Sequence, residues 1–257
     1  MNTDEGGQFG RLARRSITRT LRQPALVVPS FVFPLFMLAV VSAGGSDVTS
    51  IKGFPTDSYI TFMLGAMMVQ GASGAATMAG TTLGTDIGTG FLSRLALTPI
   101  TAPKLVFANL SGIAVISLVQ SAIYLLVGLA AGASVEAGFA GALALLGVCL
   151  MMILAFGAIG CLAAVLAGSG EQIQGLVAVV LALLFMSSML MPRNLIEEDW
   201  FKAIATYNPL SYLVEANRSL LIEGWDAEAL ALGCGLAGLL AVVALTLTVL
   251  RLKRSMI

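Results

Sequence analysis

The segment 85-TDIGTGFLSRLALTPITAPK-104 lies between two long runs that carry no charged residue, yet it holds Asp86, Arg94 and Lys104. The flanking runs, 58–83 and 105–131, are each long enough to cross a ~30 Å hydrocarbon core, which takes ~20 mostly apolar residues in a helix. The segment therefore reads as a water-exposed connection between two membrane spans. Phe91, Leu92, Leu95 and Ala96 fall on one face of a short helix. Gly88 and Gly90 precede it, and Thr98-Pro99 ends it, because the residue before a proline is pushed out of the helical region. That helix has an apolar face with no lipid to cover it. Either a groove in a partner protein covers the face, or the ends of its own spans do.

Composition supports a membrane setting. The chain of 257 residues is 58% hydrophobic and 11% charged, where soluble domains are about a quarter charged. There is no histidine, which removes the commonest general base and metal ligand. The cysteines, Cys149, Cys161 and Cys234, lie in apolar runs without C-x-x-C spacing, so neither a disulfide framework nor a metal site is expected. Lys and Arg together equal Asp and Glu at 14 each, and the balance gives no sign of a nucleic-acid partner.

Working outward, six apolar segments are expected to span: 24–44, 58–83, 105–131, 137–167, 173–191 and 229–250. Pro29 and Pro34 should kink the first. The fourth is long enough to tilt or to break near Gly157 and Gly160. The second alternates Gln70, Ser73, Thr77, Thr81 and Thr82 with glycines, a composition suited to close helix contact rather than lipid. Before the first span, 9–22 places Phe9, Leu12, Ile17 and Leu21 at helical spacing among Arg11, Arg14, Arg15, Arg19 and Arg22, an amphipathic helix lying on the membrane surface. The fold class is thus an all-α integral membrane protein.

Six spans put both termini on one side. With that side cytosolic, ten of the fourteen basic residues lie inside and Lys52, Arg193, Lys202 and Arg218 lie outside, as the positive-inside rule requires. The segment 85–104 is then cytosolic and 192–228 faces out. In the outer stretch, Trp200, Phe201, Ile204 and Tyr207 have helical spacing after an acidic start, and Asn208-Pro209 breaks the pattern. Leu210, Leu213, Val214, Asn217 and Leu220 form a second stripe ending at Gly224. Two short outer-face helices are expected.

Two groups of residues resemble a known family. One is Asp86, Gly88-Thr89-Gly90, Phe91-Leu92, Arg94-Leu95 and Thr98-Pro99 after the second span. The other is Met191-Pro192, then 207-YNPLSY-212, Glu215, Arg218 and Gly224. In order and placement they resemble the membrane subunit of type-2 ATP-binding cassette exporters, the bacterial drug, polysaccharide and lipid export permeases. The usual acidic–basic pair before the Gly-Thr is reduced here to Thr85-Asp86.

The resemblance implies a cytosolic coupling helix seated in an ATPase subunit, with Asp86, Gly90, Phe91, Leu92, Arg94, Leu95, Thr98 and Pro99 at the contact and Arg11 and Arg15 of the amphipathic helix beside it. It implies two membrane subunits, as a homo- or heterodimer, and two ATPase copies in a bacterial cytoplasmic membrane. The substrate path would use spans two and five, at Gln70, Ser73, Thr77, Gln174, Met186, Ser187 and Met189. An outer gate would involve Pro192, Trp200, Asn208, Pro209, Tyr212, Glu215 and Arg218. The chain has no G-x-x-x-x-G-K-[ST], so it is not expected to be an enzyme, and ATP and Mg belong in the partner. No cofactor or metal is expected on this chain. A neutral path favours hydrophobic or amphiphilic cargo. The competing expectation, a secondary transporter or channel without an ATPase, would normally place charged residues within spans.

Overall fold

The computed structural model describes residues 5–90, 101–167 and 173–255, and every regular element in them is helical. Helix α1 (Glu5–Leu21) is the amphipathic segment, and α2 (Pro24–Gly44) begins on Pro24, where a missing N–H costs nothing. Then follow α3 (Tyr59–Gly88), α4 (Ala102–Ala130) and α5 (Gly138–Ala167). Helix α6 (Ile173–Phe185) is short. The segment after it carries α7 (Asp199–Tyr207) and α8 (Pro209–Arg218), a π turn over Ser219–Glu223, and finally α9 (Ala227–Ser255).

Helix α3 is the axis of the bundle. It packs on α2, α4, α5, α6 and α8 and is buried along most of its length. Its polar and small residues explain this. A helix carrying Gln70, Ser73, Thr77 and Thr81 is poorly matched to lipid, and its glycines let neighbours approach. A Cβ on Gly80 would meet the Gly160 carbonyl at 2.9 Å, and one on Gly160 would meet the Ala76 carbonyl at 1.9 Å. The backbones of α3 and α5 thus touch where both lack side chains. Helix α5 runs unbroken through Gly157 and Gly160, contrary to the break considered from sequence. These glycines serve the contacts, with Gly157 facing Leu110 of α4.

Three helical stretches, Ala102–Ala130, Gly138–Ala167 and Ala227–Lys253, are long and apolar enough to cross a membrane, and α2 has a shorter apolar run, Val27–Val41. Helix α9 continues past 250 through Arg251 and Lys253, cations that suit the negative end of a helix dipole. Helix α3 also outruns its expected end at 83, so Thr85 and Asp86 belong to its last turns rather than to a loop. Helix α6 does the opposite. It stops at Phe185, not at 191, and its 13 residues reach only ~20 Å. The reason lies in side chains from α8, which draw the backbone after Phe185 out of the helix.

Candidate functional site

Three groups of polar residues lie along the α3 axis. At its C-terminal end, Asp86 is 6% exposed although it carries a carboxylate near the negative pole of the helix. Arg15 and Arg19 of α1 resolve the conflict. Arg15 Nη2 donates to Asp86 Oδ1 at 3.1 Å, and Arg19 Nη1 donates to the same oxygen. One turn away, α1 is fixed to α4. Ser16 Oγ donates to the Asn109 carbonyl at 3.1 Å, and a Cβ on Gly112 would collide with Ser16 at 2.6 Å. Asn109 Nδ2 in turn donates to the Ala79 carbonyl at 3.2 Å, so one buried amide ties α1, α3 and α4 together. Gly90, with φ +65°, follows the end of α3. The expected coupling residues Phe91, Leu92, Arg94, Leu95, Thr98 and Pro99 lie outside the described residues, as does the side chain of Arg11. Arg19 and Asn109 were not singled out from sequence. A lone Asn in the apolar run 105–131 was the available signal.

In the middle, a cleft of about 360 Å³ opens between α2, α3 and α6. Gln70, Ser73 and Thr77 of α3 line it, at one-face helical spacing, with Pro29, Phe33 and Pro34 of α2 and Leu176, Val180 and Leu181 of α6. The Ser73 hydroxyl is spent on the Gln70 carbonyl at 2.6 Å, whereas both polar atoms of the buried Gln70 amide have no partner. Pro34 cannot donate to the Ser30 carbonyl one turn earlier. That carbonyl instead accepts from Gln120 Nε2 at 2.8 Å and from the Tyr124 hydroxyl, both on α4. The sequence reading of span three passed over this pair.

Three residues assigned to the path lie outside this cleft. Because α6 ends at Phe185, Met186 stands at the surface, and Ser187 and Met189 are buried against the outer helices rather than in the cleft. The side chain of Gln174 is outside the described residues.

At the N-terminal end of α3, α8 grips the unwound backbone after α6. Arg218 is buried. It donates from Nε to the Phe62 carbonyl at 3.0 Å, from Nη1 to Ser188 at 2.6 Å and from Nη2 to Met189 at 2.5 Å. Its guanidinium lies 3.4 Å from the centroid of the Phe62 ring. Burial pushes its pKa down to about 9, opposed by Glu215 and then Tyr59, so it stays cationic at neutral pH. Asn208 caps α8 by accepting from Leu210 N, and its Nδ2 donates to the Leu183 carbonyl at 2.6 Å. Pro209 opens α8. Glu215 accepts from Ser188 Oγ at 3.2 Å and pairs with Arg193 at 2.8 Å. Its pKa is raised by burial, with Arg193 and then the Ser188 hydroxyl opposing. Tyr212 lies under Arg193, at 4.6 Å from its ring centroid. Pro192 sits half-buried beside Arg193. Trp200 is not brought to this cluster. It stands exposed on α7, against Phe201.

The arrangement is a helical bundle with a neutral cleft in its side and clamps at both ends. Among the described residues no group of His, Cys, Asp and Glu could hold a metal ion. The ABC-2 type transporter family model matches residues 7–222, which takes in both clamps and the cleft. No curated protein matches the chain.

Proposed function

The chain belongs to the ABC-2 type transporter family, and from that premise we propose that it moves hydrophobic or amphiphilic cargo as the permease subunit of an ATP-driven exporter. Membership of the family makes it a multi-pass membrane protein and a permease rather than a nucleotide-binding domain, and implies in general an ATPase and a membrane partner. In our reading two membrane subunits pair, two ATPase copies supply ATP and Mg, and six spans place both termini and 85–104 in the cytosol of a bacterium. The ten-to-four division of basic residues supports that orientation.

The observation that carries the cargo assignment is the cleft. Its polar groups are neutral, its α2 and α6 walls are mostly apolar, and among the described residues no charged one lines it. A wall of that kind cannot repay the dehydration of a strongly charged solute. It also offers nothing with which to couple an ion, which weighs against a secondary transporter. The joint between α1 and α3 at Asp86 supports the coupling role. A push on the segment 91–100 would be passed to α3, and so to the cleft, through a helix end pinned by two ion pairs.

The test is Val180→Trp, which fills the cleft from α6. In proteoliposomes with the ATPase partner, cargo-stimulated ATP hydrolysis should be lost and basal hydrolysis kept. Normal export by V180W would refute the path.

A further inference from the structure

The solvent-facing side of α1 carries more positive charge than the structure neutralises. Arg14, Arg15, Thr18, Arg19 and Arg22 line an open cleft of about 610 Å³ at the junction of α1 and α2. Arg15 and Arg19 share the single carboxylate of Asp86. Arg14 and Arg22 are exposed and have no ion-pair partner among the described residues. Four guanidiniums thus surround one carboxylate.

The surroundings narrow the ligand. Leu21 lies beside the cleft, and α2 leaves it with Val28, Val32 and Phe36, all four more than half exposed. These are aliphatic and aromatic side chains left exposed in a membrane protein, suited to contact with acyl chains. A ligand that satisfies both features has an anionic head and an apolar tail. The spacing 14–18–22 and 15–19 sets the arginines in two adjacent rows along the helix, and guanidinium forks suit phosphate oxygens. We propose that this cleft is a binding site for an anionic phospholipid, its phosphate held by Arg14 and Arg22 and shared with Arg15 and Arg19.

Asp86 then acts as a built-in competitor. Its carboxylate already occupies two of the four guanidiniums, so headgroup binding and the α1–α3 ion pairs draw on the same charges. Lipid composition would thereby bias how tightly α1 is tied to the end of α3.

The charge arithmetic gives opposite signs for two sets of variants. Each basic side chain at an anionic surface is worth on the order of five-fold in binding. The double variant R14Q/R22Q should therefore lose about 25-fold in phosphatidylglycerol retention. D86N removes the ion pairs that Arg15 and Arg19 make with Asp86 and should raise retention. The measurement is native mass spectrometry of the full chain in detergent, offered dioleoylphosphatidylglycerol and dioleoylphosphatidylcholine in equal amounts. Millimolar inorganic phosphate forms a separate arm, and the purified ATPase another.

The expected result is selective retention of phosphatidylglycerol by the wild type, weakened by added salt, reduced in R14Q/R22Q and increased in D86N. Unchanged retention in R14Q/R22Q would overturn the proposal, as would a decrease in D86N with its melting transition intact. Displacement of the lipid by phosphate alone would make the cleft a small-anion site and refute the lipid assignment. Displacement by the ATPase, with R14Q/R22Q losing the ATPase instead, would assign the face to that subunit and equally refute it. Should R14Q/R22Q fail to fold, the salt titration of the wild type and the sign of D86N still decide.

Discussion

Replacing Arg218 by Met tests whether the end of the bundle at the N-terminus of α3 is held by one buried cation. The change keeps an unbranched side chain of similar length and removes three donors. The carbonyls of Phe62, Ser188 and Met189 then lose their partners, and the face of the Phe62 ring loses its cation. A buried acceptor left unsatisfied costs about 1–3 kcal/mol, and three of them would total about 3–9 kcal/mol. Against this stands the relief of no longer burying a guanidinium, several kcal/mol in its own right. We take a net loss of about 3 kcal/mol. At roughly 2–4 °C per kcal/mol for a chain of this size, the apparent melting temperature should fall by about 6–12 °C. R218K should fall between the two, since an ammonium can reach one or two of the carbonyls but cannot lie flat on the ring. R193M is the control. It breaks a half-exposed pair with Glu215, and such pairs are worth about 1 kcal/mol or less. The assay is thermal unfolding of the full chain in detergent micelles, followed by intrinsic fluorescence. If R218M melts within about 2 °C of the wild type, or no lower than R193M, the clamp is not what holds residues 186–191.

Two further outcomes follow from the same structure. Tyr124→Phe alone should be mild, because Gln120 still donates to the Ser30 carbonyl, whereas Q120L/Y124F leaves it orphaned and should cost about 1–3 kcal/mol beyond the single change, read as a further fall in melting temperature; an additive pair of small effects would show that the proline-freed carbonyl finds another donor. For topology, single cysteines at Ser50 and Ala227 should react with an impermeant maleimide added to intact cells and one at Thr89 should not, all three positions being exposed; labelling of Thr89→Cys from outside would overturn the orientation.

The long helices were legible because apolar runs and their interruptions are local. Pro24 opens α2, and Asn208-Pro209 separates α7 from α8. Gln70, Ser73 and Thr77 are path residues by the family resemblance, and all three line the cleft. Met186, Ser187 and Met189 rest on the same resemblance and on a span expected to run to 191. The extension fails because an apolar run does not record whether its carbonyls are bonded within the helix or taken by side chains. Those of Leu183, Ser188 and Met189 accept from Asn208 and Arg218, 25 to 30 residues away. The same limit hid the inner joint. Asp86 was noticed as a charge beside an apolar run, but its partners Arg15 and Arg19 are 71 and 67 residues distant, in a helix whose arginines looked interchangeable.

What distinguished the residues that mattered was a polar group with a debt. Pro34 leaves the Ser30 carbonyl unbonded, and the stop of α6 at Phe185 leaves several more. Asp86 puts a negative charge at a negative helix pole. Each can be read from sequence once the helix boundaries are set, and each is met by a polar side chain from a distant element: Gln120 with Tyr124, Arg218, and Arg15 with Arg19 of α1. Gln70 is one buried group that stays unmet at the cleft wall, an amide with neither atom bonded. An unbonded amide there keeps a donor and an acceptor available, hydrogen-bonding capacity that the proposed path would present to whatever enters the cleft.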